Sequence, residues 1–278
     1  MQQQVKTWFI TGASKGLGLA LVKQLLAAGQ KVAATSRNAS QLSENAGYTG
    51  DDFLSISLNL TDDNAVKQAV AQTVAAFGSI DVLINNAGYG IGGSLEELSD
   101  NELRTAFDVN VFGAVNTIRH TLPYMRQQRN GHVINISSIA GYAAGSGWSA
   151  YAGTKFALFG LTETLAEDVK SFGIKATLVA PGAFRTSFLT DESIVLPQSP
   201  IADYEDVRAS YSRTLSYNGN QAGDPEKAAA LMIEAGLNPN PPLHLFLGTD
   251  AYNRAMAKIE TITAEIQSLK PISVSTDY

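Results

Sequence analysis

The sequence predicts an α/β fold in which seven parallel strands form a doubly wound sheet with helices on both faces. Strand-like and helix-like segments alternate along most of the 278 residues, which is the pattern of βαβ units. The strand-like segments are continuous apolar runs, as expected for a parallel sheet that is buried on both sides. A glycine-rich turn directly follows the first strand. No repeat, low-complexity tract or long linker divides the chain, so residues 1–278 are predicted to form a single domain.

The predicted strands are short apolar runs bounded by glycine, proline or polar residues. In chain order they cover residues 6–10, 31–35, 53–58, 81–85, 132–137, 174–179 and 243–247.

Helical spacing of apolar residues predicts the segments between the strands. In chain order these helices are 17–28, closed by Gly29; part of 39–46; a helix capped by Thr61 or Asp62 that ends near 77; a long helix that begins at the capping box of Ser99 and Glu102 and ends near 128; and a helix that carries Tyr151 and Lys155 and ends near 172.

Residues 186–223 interrupt this alternation of strands and helices. The segment is polar and contains Pro197 and Pro200. An insertion after the carboxyl end of a parallel strand lies beside the ligand crevice, so we predict a substrate lid here. A loose surface loop is the alternative. Residues 249–278 continue past the last strand as a C-terminal extension.

Composition argues against several classes of protein and site. The net charge is −6 and there is no basic run, so nucleic acid is not an expected partner. No apolar stretch approaches the roughly 20 residues that cross a bilayer, and the N-terminus has no signal-peptide or transit-peptide layout. The absence of cysteine excludes thiolate chemistry and fits a cytoplasmic protein. His120, His132 and His244 lie far apart in the sequence, so we predict no metal site.

The glycine turn has the composition of a dinucleotide-binding site. Gly12-Ala13-Ser14-Lys15-Gly16-Leu17-Gly18 lies between the first strand and the first helix. Glycines in this position allow a tight turn and let backbone N–H groups approach a diphosphate at the helix N-terminus. The turn therefore predicts a Rossmann-type sheet with a bound dinucleotide.

The end of the second strand predicts which dinucleotide is bound. A carboxylate in this region, about 20 residues past the glycine turn, would bind the ribose hydroxyls of NAD. This chain has Arg37 instead, and Lys15 lies within the glycine turn. Two cations, with hydroxyls available from Ser14 or Ser36, favour the 2′-phosphate of NADP(H). The alternative is that Arg37 is only a solvated surface residue.

Tyr151 and Lys155 are the candidate acid–base pair. Residues four apart on a helix lie on one face, one turn apart. An ammonium group beside a phenol favours the phenolate, so we expect Lys155 to lower the pKa of Tyr151 from its ordinary value of about 10. A tyrosine with such a pKa can act as a general acid or base.

With these features in view, residues 5–185 resemble the short-chain dehydrogenase/reductase family. The glycine turn is similar to that family's cofactor motif, and Asn85-Asn86-Ala87-Gly88 is similar to its NNAG motif. Ser138 precedes Tyr151 by thirteen residues, the interval of the family's catalytic serine. Asn110 matches the helix asparagine that holds a water molecule in the proton relay.

The resemblance also implies further cofactor contacts. Pro181-Gly182 with Thr186 is similar to the motif that contacts the nicotinamide carboxamide. Asn59, followed by Leu60, replaces the aspartate that often faces the adenine amine, and its side-chain carbonyl can still accept that hydrogen bond.

The implied reaction is hydride transfer between the nicotinamide and a carbonyl carbon. The resemblance implies that Ser138 binds the carbonyl oxygen, Tyr151 protonates it, and Lys155 lowers the tyrosine pKa and holds the ribose. The predicted pocket, at residues 89–93, 140–148 and 183–189, is largely apolar, so we expect a small apolar ketone, aldehyde or alcohol. We see no cation placed for a substrate anion, with Arg185 as the one exception.

Two other functions stay open at this point. An epimerase or dehydratase of the longer-chain branch shares the Tyr-x-x-x-Lys pair, but the glycine spacing and the length disfavour it. A non-catalytic NADP(H) sensor is the second alternative, although the four catalytic residue types are all present. The resemblance also implies a homo-oligomer, a dimer or tetramer formed through the helices near 100–128 and the helix of Tyr151.

Overall fold

The computed structural model describes residues 5–278. Residues 1–4, for which the sequence predicts no targeting peptide, lie outside the described residues. Within 5–278 the strands, in chain order, are β1 (Thr7–Ile10), β2 (Lys31–Ser36), β3 (Phe53–Ser57), β4 (Val82–Asn85), β5 (Gly90–Ile91), β6 (Gly131–Ile136), β7 (Ile174–Pro181), β8 (Ile194–Val195) and β9 (His244–Leu247). The α-helices are α1 (Gly16–Ala27), α2 (Ala39–Ala46), α3 (Asp63–Phe77), α4 (Asp100–Phe107), α5 (Gly113–Gln128), α6 (Ser149–Val169), α7 (Glu205–Ser216), α8 (Pro225–Leu237) and α9 (Thr249–Ser273).

Seven of the strands form one parallel sheet, in the order β3-β2-β1-β4-β6-β7-β9. This order confirms the predicted Rossmann-type fold. The chain winds outward in one direction from β1 to β3 and in the other direction from β4 to β9. A crevice therefore opens at the carboxyl ends of β1 and β4, where ligands bind in doubly wound folds. Short strands β5 and β8 pair separately beside this crevice.

The core lies on both faces of the sheet. Trp8 and Phe9 are neighbours on β1, and successive strand residues point to opposite faces. Trp8 packs into the cluster built with α1, α2 and α8, and Phe9 packs into the cluster built with α3 and α5. Both side chains are fully buried. This two-sided burial explains why the strands appear in the sequence as continuous apolar runs.

The predicted long helix from Ser99 to about residue 128 is interrupted. The capping box of Ser99 and Glu102 is present at its start, but a five-residue π-helical segment, Asp108–Phe112, separates α4 from α5. A π turn shifts the hydrogen-bond partner by one residue and is often found at functional sites. Apolar periodicity does not reveal such a shift, because the helix axis continues through it.

Residues 186–223, the predicted lid, contain more regular structure than the sequence indicated. The segment includes β8 and the twelve-residue helix α7. Its anchor is the buried carboxylate of Glu97, which accepts hydrogen bonds from Ile201 N (3.0 Å) and from Arg208 Nη1 (3.2 Å). Helix α7 was not predicted from the sequence, because it is polar and buries only Tyr211. Helices α8 and α9 were likewise not assigned from the sequence.

Candidate active site

A cavity of about 950 Å³ occupies the crevice at the carboxyl ends of the central strands. It brings the predicted cofactor and catalytic residues together, with the exceptions of Gly18 and Asn110, which lie outside its lining. The predicted residues that line it are Gly12, Ser14, Lys15, Gly16, Leu17, Ser36, Arg37, Asn59, Leu60, Asn86, Ala87, Gly88, Ser138, Tyr151, Lys155, Pro181, Gly182 and Thr186.

The glycine turn is held tightly against the end of β4. Gly12 has a positive φ of 64°, and a Cβ at this position would lie 2.6 Å from Ala87 Cα. Asn86 Nδ2 donates to the backbone oxygens of Thr11 (3.0 Å) and Gly12 (2.9 Å). A Cβ at Gly18 would meet Gly12 O at 2.6 Å, so Gly18 packs behind the turn. Only glycine fits the first position without a shift of the backbone.

The N-terminus of α1 is suited to an anion. This helix begins at the glycine turn without a side-chain cap, so its first N–H groups keep no side-chain acceptor. Free N–H groups and the positive end of the helix dipole attract phosphate. The residues present therefore fit the diphosphate of a dinucleotide.

The two predicted phosphate cations, Lys15 and Arg37, both line the cavity. Arg37 is exposed at the end of β2, while the Ser36 hydroxyl donates to Asn38 O at 2.6 Å. Lys15 Nζ forms an ion pair with Glu192 Oε2 at 3.1 Å, and both side chains are solvent-accessible. Glu192 belongs to the segment 186–223. A 2′-phosphate would therefore compete with a carboxylate for Lys15.

Asn59 is already hydrogen-bonded within the chain. Its side-chain oxygen accepts from Thr61 N (3.2 Å) and from Thr61 Oγ1 (3.0 Å). The expected contact between this oxygen and an adenine amine would have to share the acceptor with Thr61, and it remains a prediction.

Tyr151 and Lys155 lie on one face of α6 and are both buried. Lys155 Nζ lies 5.8 Å from the centroid of the Tyr151 ring and donates to Ile136 O at 2.9 Å. Ser138 follows β6 and is half-buried beside them, and its hydroxyl accepts from Ala140 N at 3.1 Å. Helix α6 and the end of β6 therefore present three candidate catalytic side chains to one cavity.

The pKa of Tyr151 does not move in the direction that the sequence predicted. Burial raises the pKa of Tyr151 to about 12, and a hydrogen bond with Ser138 acts in the opposite direction. Burial also lowers the pKa of Lys155 to about 8. The ammonium by itself would lower the tyrosine pKa, but desolvation disfavours the charged forms of both groups. The expectation of a lowered tyrosine pKa is wrong for this state of the protein.

Asn110 is buried within the π-helical segment, and both ends of its side-chain amide are hydrogen-bonded. Its Oδ1 accepts from Tyr89 N (3.0 Å), and its Nδ2 donates to Tyr89 O (2.9 Å) and Thr154 Oγ1 (3.2 Å). A Cβ at Gly88 would lie 3.1 Å from Asn110 Oδ1 and 3.3 Å from Lys155 Nζ. The bare Cα of Gly88 thus leaves room between the amide and the ammonium. The proton-relay role of Asn110 stays a prediction.

The residues predicted to contact the nicotinamide line the cavity at and beyond the carboxyl end of β7. Pro181 ends β7, and Gly182 N donates to Leu247 O at 2.8 Å. A Cβ at Gly16 would lie 3.4 Å from Thr186 Cβ. Thr186 therefore closes the cavity on the side facing the first turn of α1.

Aromatic side chains flank Tyr151 on the predicted substrate side. The centroids of the Trp148 and Phe188 rings lie 6.1 and 5.7 Å from that of Tyr151. The predicted pocket residues Ile91 and Ala143 lie outside the cavity lining.

Several lining residues were not predicted from the sequence, above all Arg254 and Asp250 on α9 and Ser210 and Thr214 on α7. The available signal was an acid and an arginine four residues apart, just after the last strand. Nothing in that spacing indicates that α9 passes over the crevice. Arg185, the one cation considered for a substrate anion, lies outside the lining, and its Nε donates to Gln221 O at 3.2 Å.

Two classes of feature do not occur in the part of the chain that the structure describes. No helix between residues 5 and 278 combines the length and apolar character needed to cross a membrane. Over the same residues, no three His, Asp or Glu side chains are grouped so that they could hold a metal ion.

Curated proteins resemble this chain over most of its length. It is 34% identical over 273 residues to oxidoreductase BOA17 of Botryotinia fuckeliana, covering 98% of this chain and 99% of that protein. It is 37% identical over 248 residues to the 3-ketodihydrosphingosine reductase of Bacteroides thetaiotaomicron, covering 89% of each.

Solved structures share the whole fold. A short-chain dehydrogenase from Streptomyces avermitilis is 38% identical, with a TM-score of 0.91 over 99% of this chain and 100% of that one. The closed form of a serine dehydrogenase complexed with NADP+ is 26% identical, with a TM-score of 0.74 over 87% and 94%. The sequence profile described as short chain dehydrogenase matches residues 6–194. This chain therefore belongs to the short-chain dehydrogenase/reductase family of oxidoreductases.

Proposed function

We propose that this protein is an NADPH-dependent oxidoreductase that reduces a ketone or aldehyde and, in reverse, oxidises the corresponding alcohol. The observation that carries the proposal is a single cavity lined both by the glycine turn and by Ser138, Tyr151 and Lys155. A cavity that held only a cofactor would have no need of a buried phenol and a buried ammonium on its other wall.

The cofactor supplies the hydride, and the protein supplies position and protons. Ser138 donates a hydrogen bond to the substrate carbonyl oxygen. Tyr151 gives its proton to the same oxygen as negative charge develops there. A phenol with a pKa of about 12 stays protonated at neutral pH, which is the form that reduction requires. Lys155 replaces the proton and holds the ribose hydroxyls.

Preference for NADPH is supported by the charge at the end of β2. Arg37 follows β2 and lines the cavity, as does Lys15 of the glycine turn, and no carboxylate occupies residues 35–38. A planar guanidinium suits a phosphate monoester. The serine dehydrogenase of similar fold was solved with NADP+.

A carbonyl substrate is supported by the aromatic wall. Trp148 and Phe188 flank Tyr151, so the reacting carbonyl would lie between apolar groups and away from water. One relative is described as a 3-ketodihydrosphingosine reductase, whose name describes reduction of a ketone.

The test is consumption of NADPH and of NADH with a panel of ketones and aldehydes, comparing the wild type with Tyr151→Phe. A positioned general acid contributes about 10²- to 10⁴-fold, so the variant should lose turnover by that range. NADPH should still bind it with near-wild-type affinity, measured by fluorescence titration. Retained turnover in Tyr151→Phe would refute the assigned role. Tight NADPH binding by a wild type that reduces nothing in the panel would favour the sensor instead.

A further inference from the structure

The cavity contains one cation that the proposed chemistry does not use. Arg254 lies on α9, beyond residue 194, where the family profile ends. Its Nη2 donates to Ala143 O, in the loop that follows Ser138. Within residues 5–278 the other cations that line the cavity are Lys15, Arg37 and Lys155. Those three serve the cofactor or proton transfer, so Arg254 is the cation on the substrate side.

The protein supplies few hydrogen-bond acceptors or negative charges to the guanidinium of Arg254. Burial lowers the pKa of Arg254, and the nearby charge of Asp250 opposes the change, but a guanidinium remains charged at any working pH. Asp250, one turn earlier on α9, accepts from Ala183 N at 2.9 Å. No ion pair in the described part of the chain includes Arg254. Arg254 is accessible to solvent and makes one backbone hydrogen bond, so its guanidinium can still bind an added anion.

We propose that Arg254 is a specificity-determining residue that binds a carboxylate of the substrate, at the end remote from the carbonyl reduced beside Tyr151. The proposal rests on the proposed reductase function and names its substrate class, an oxo acid. The planar guanidinium matches a carboxylate in charge and shape. A monoanion suits the site better than a phosphate dianion, because a single cation lies beside the negative charge of Asp250.

The walls between the two ends suit a hydrocarbon spacer. Trp148 and Phe188 present aromatic rings next to Tyr151. Ala144 and Gly145 also line the cavity, and in the sequence they lie between Ala143, which accepts the Arg254 hydrogen bond, and Trp148. The substrate would therefore carry a carbonyl at one end, an apolar chain, and a carboxylate at the other end.

The test uses three straight-chain methyl ketone acids, 4-oxopentanoate, 6-oxoheptanoate and 8-oxononanoate, each compared with its own methyl ester. The variants are Arg254→Met and Arg254→Lys. The control is Lys258→Gln, which removes a cation one turn further along α9. Lys258 Nζ lies 4.8 Å from the Phe156 ring centroid and is outside the cavity lining.

The wild type should prefer at least one acid over its ester, and the preferred chain length measures how far Arg254 lies from the reaction centre. Arg254→Met should lower kcat/KM for that acid by about 10- to 100-fold, the range expected for a hydrogen-bonded charge, and change the ester by less than about 2-fold. Arg254→Lys should retain part of the preference, and Lys258→Gln should change neither substrate. Equal losses on acid and ester, or no acid preference in the wild type, would overturn the proposal.

A binding measurement separates this proposal from the reductase proposal. Calorimetry with NADP+ present, so that no reduction can occur, gives the affinity of each acid and ester. Acid binding that is lost in Arg254→Met, without turnover by the wild type, would count against the reductase and support the carboxylate site. Reduction of acids and esters alike, with equal affinities, would support the reductase and overturn the role of Arg254.

Discussion

At the residue scale, burial governs the acid–base properties of Tyr151 and Lys155, the two residues proposed for proton transfer. Tyr151 and Lys155 lie one turn apart on α6, as the spacing predicted. Both are buried, so desolvation raises the pKa of the phenol to about 12 and lowers that of the ammonium to about 8. Desolvation depends on every atom packed around a group, and sequence spacing reports only one neighbour.

We expect the buried ammonium of Lys155 to lower the free energy of unfolding by an amount that depends on pH. The unfolded chain holds the Lys155 proton up to its ordinary pKa of 10.5, and the folded chain holds it only up to about 8. Between these values the unfolded state binds more protons, so the free energy of unfolding rises with pH. Lys155→Met removes this charge and should stabilise the protein at pH 7 by about 1–3 kcal/mol.

The measurement is urea unfolding of the wild type and Lys155→Met from pH 7 to pH 10. The advantage of the variant should shrink as the pH rises above 8. A variant that is less stable at pH 7 would mean that the hydrogen bond from Lys155 to Ile136 O outweighs the cost of burial.

We expect Arg37 to determine the preference for NADPH over NADH. Arg37→Gln should raise KM for NADPH by about 10-fold, because a charge-assisted hydrogen bond to phosphate is lost, and should leave KM for NADH within about 2-fold. Steady-state kinetics with each cofactor make the comparison. An equal change for both cofactors would place Arg37 away from the 2′-phosphate.

Glu192 offers a second test of the proposed 2′-phosphate site, because it pairs with Lys15. Its ion pair with Lys15 is accessible to solvent, and such pairs contribute about 0.2–1 kcal/mol. Glu192→Gln frees the ammonium and should tighten NADPH binding by about 1.5- to 5-fold, as measured by fluorescence titration. Weaker binding would mean that Glu192 positions Lys15 for the cofactor.

At the element scale, the segment 186–223 depends on one buried carboxylate. Glu97 Oε2 accepts from Ser94 N (3.0 Å) and Ser94 Oγ (2.9 Å), while Oε1 accepts from Ile201 N and Arg208 Nη1. These contacts, led by the Ser94 backbone amide, hold the pKa of Glu97 below its ordinary value of 4.5. The anchor therefore contributes stability above pH 4.5, and that contribution is lost as the pH falls through the folded pKa.

Glu97→Ala should release this anchor without removing the sheet. It leaves the buried N–H and O–H groups of Ser94 without their acceptor, which costs about 1–3 kcal/mol. We expect faster limited proteolysis within 196–204 and an increased KM for the carbonyl substrate. Glu96→Ala is the control, since Glu96 accepts only from the Tyr204 hydroxyl at an exposed position. Equal proteolysis of both variants would contradict the anchoring role of Glu97.

At the scale of the whole molecule, exposed apolar side chains suggest where copies of the chain meet. Phe112 is 54% exposed, and Phe156 and Leu161 on α6 are 40% and 41% exposed. They lie on the helices through which the family resemblance implies a dimer or tetramer. Helix α9 also exposes large apolar side chains, among them Ile259, Ile266 and Leu269.

Leu161→Asp tests the predicted oligomer. A charge at this position would be desolvated in an interface formed by α6, so the variant should shift to a lower mass in size-exclusion chromatography with light scattering. Leu231→Asp is the control, because Leu231 is 47% exposed on α8, which packs on the other face of the sheet. A lower mass for Leu231→Asp alone would indicate that α8, and not α6, forms the interface.

The sequence by itself determined the sheet, the glycine turn and the helix that carries Tyr151 and Lys155. These features leave local patterns: apolar runs specify strands, glycines at 12, 16 and 18 between a strand and a helix specify the turn, and the interval from Tyr151 to Lys155 specifies one helix face. Each is decided by contacts within an element or between neighbouring elements, and such contacts leave a periodic or compositional pattern.

The tertiary structure decided what surrounds that site. Contacts between residues far apart in the chain produce four features of the site. These are the π turn at Asn110, the anchor at Glu97, the raised pKa of Tyr151 and the position of Arg254 in the cavity lining. No periodicity encodes where α9 crosses the crevice, because its direction is set by packing on β9 and on the residues after Ser138. The residues proposed for proton transfer, Ser138, Tyr151 and Lys155, therefore lie close together in the sequence. The features proposed here to select the substrate arise only when the folded chain brings distant segments together.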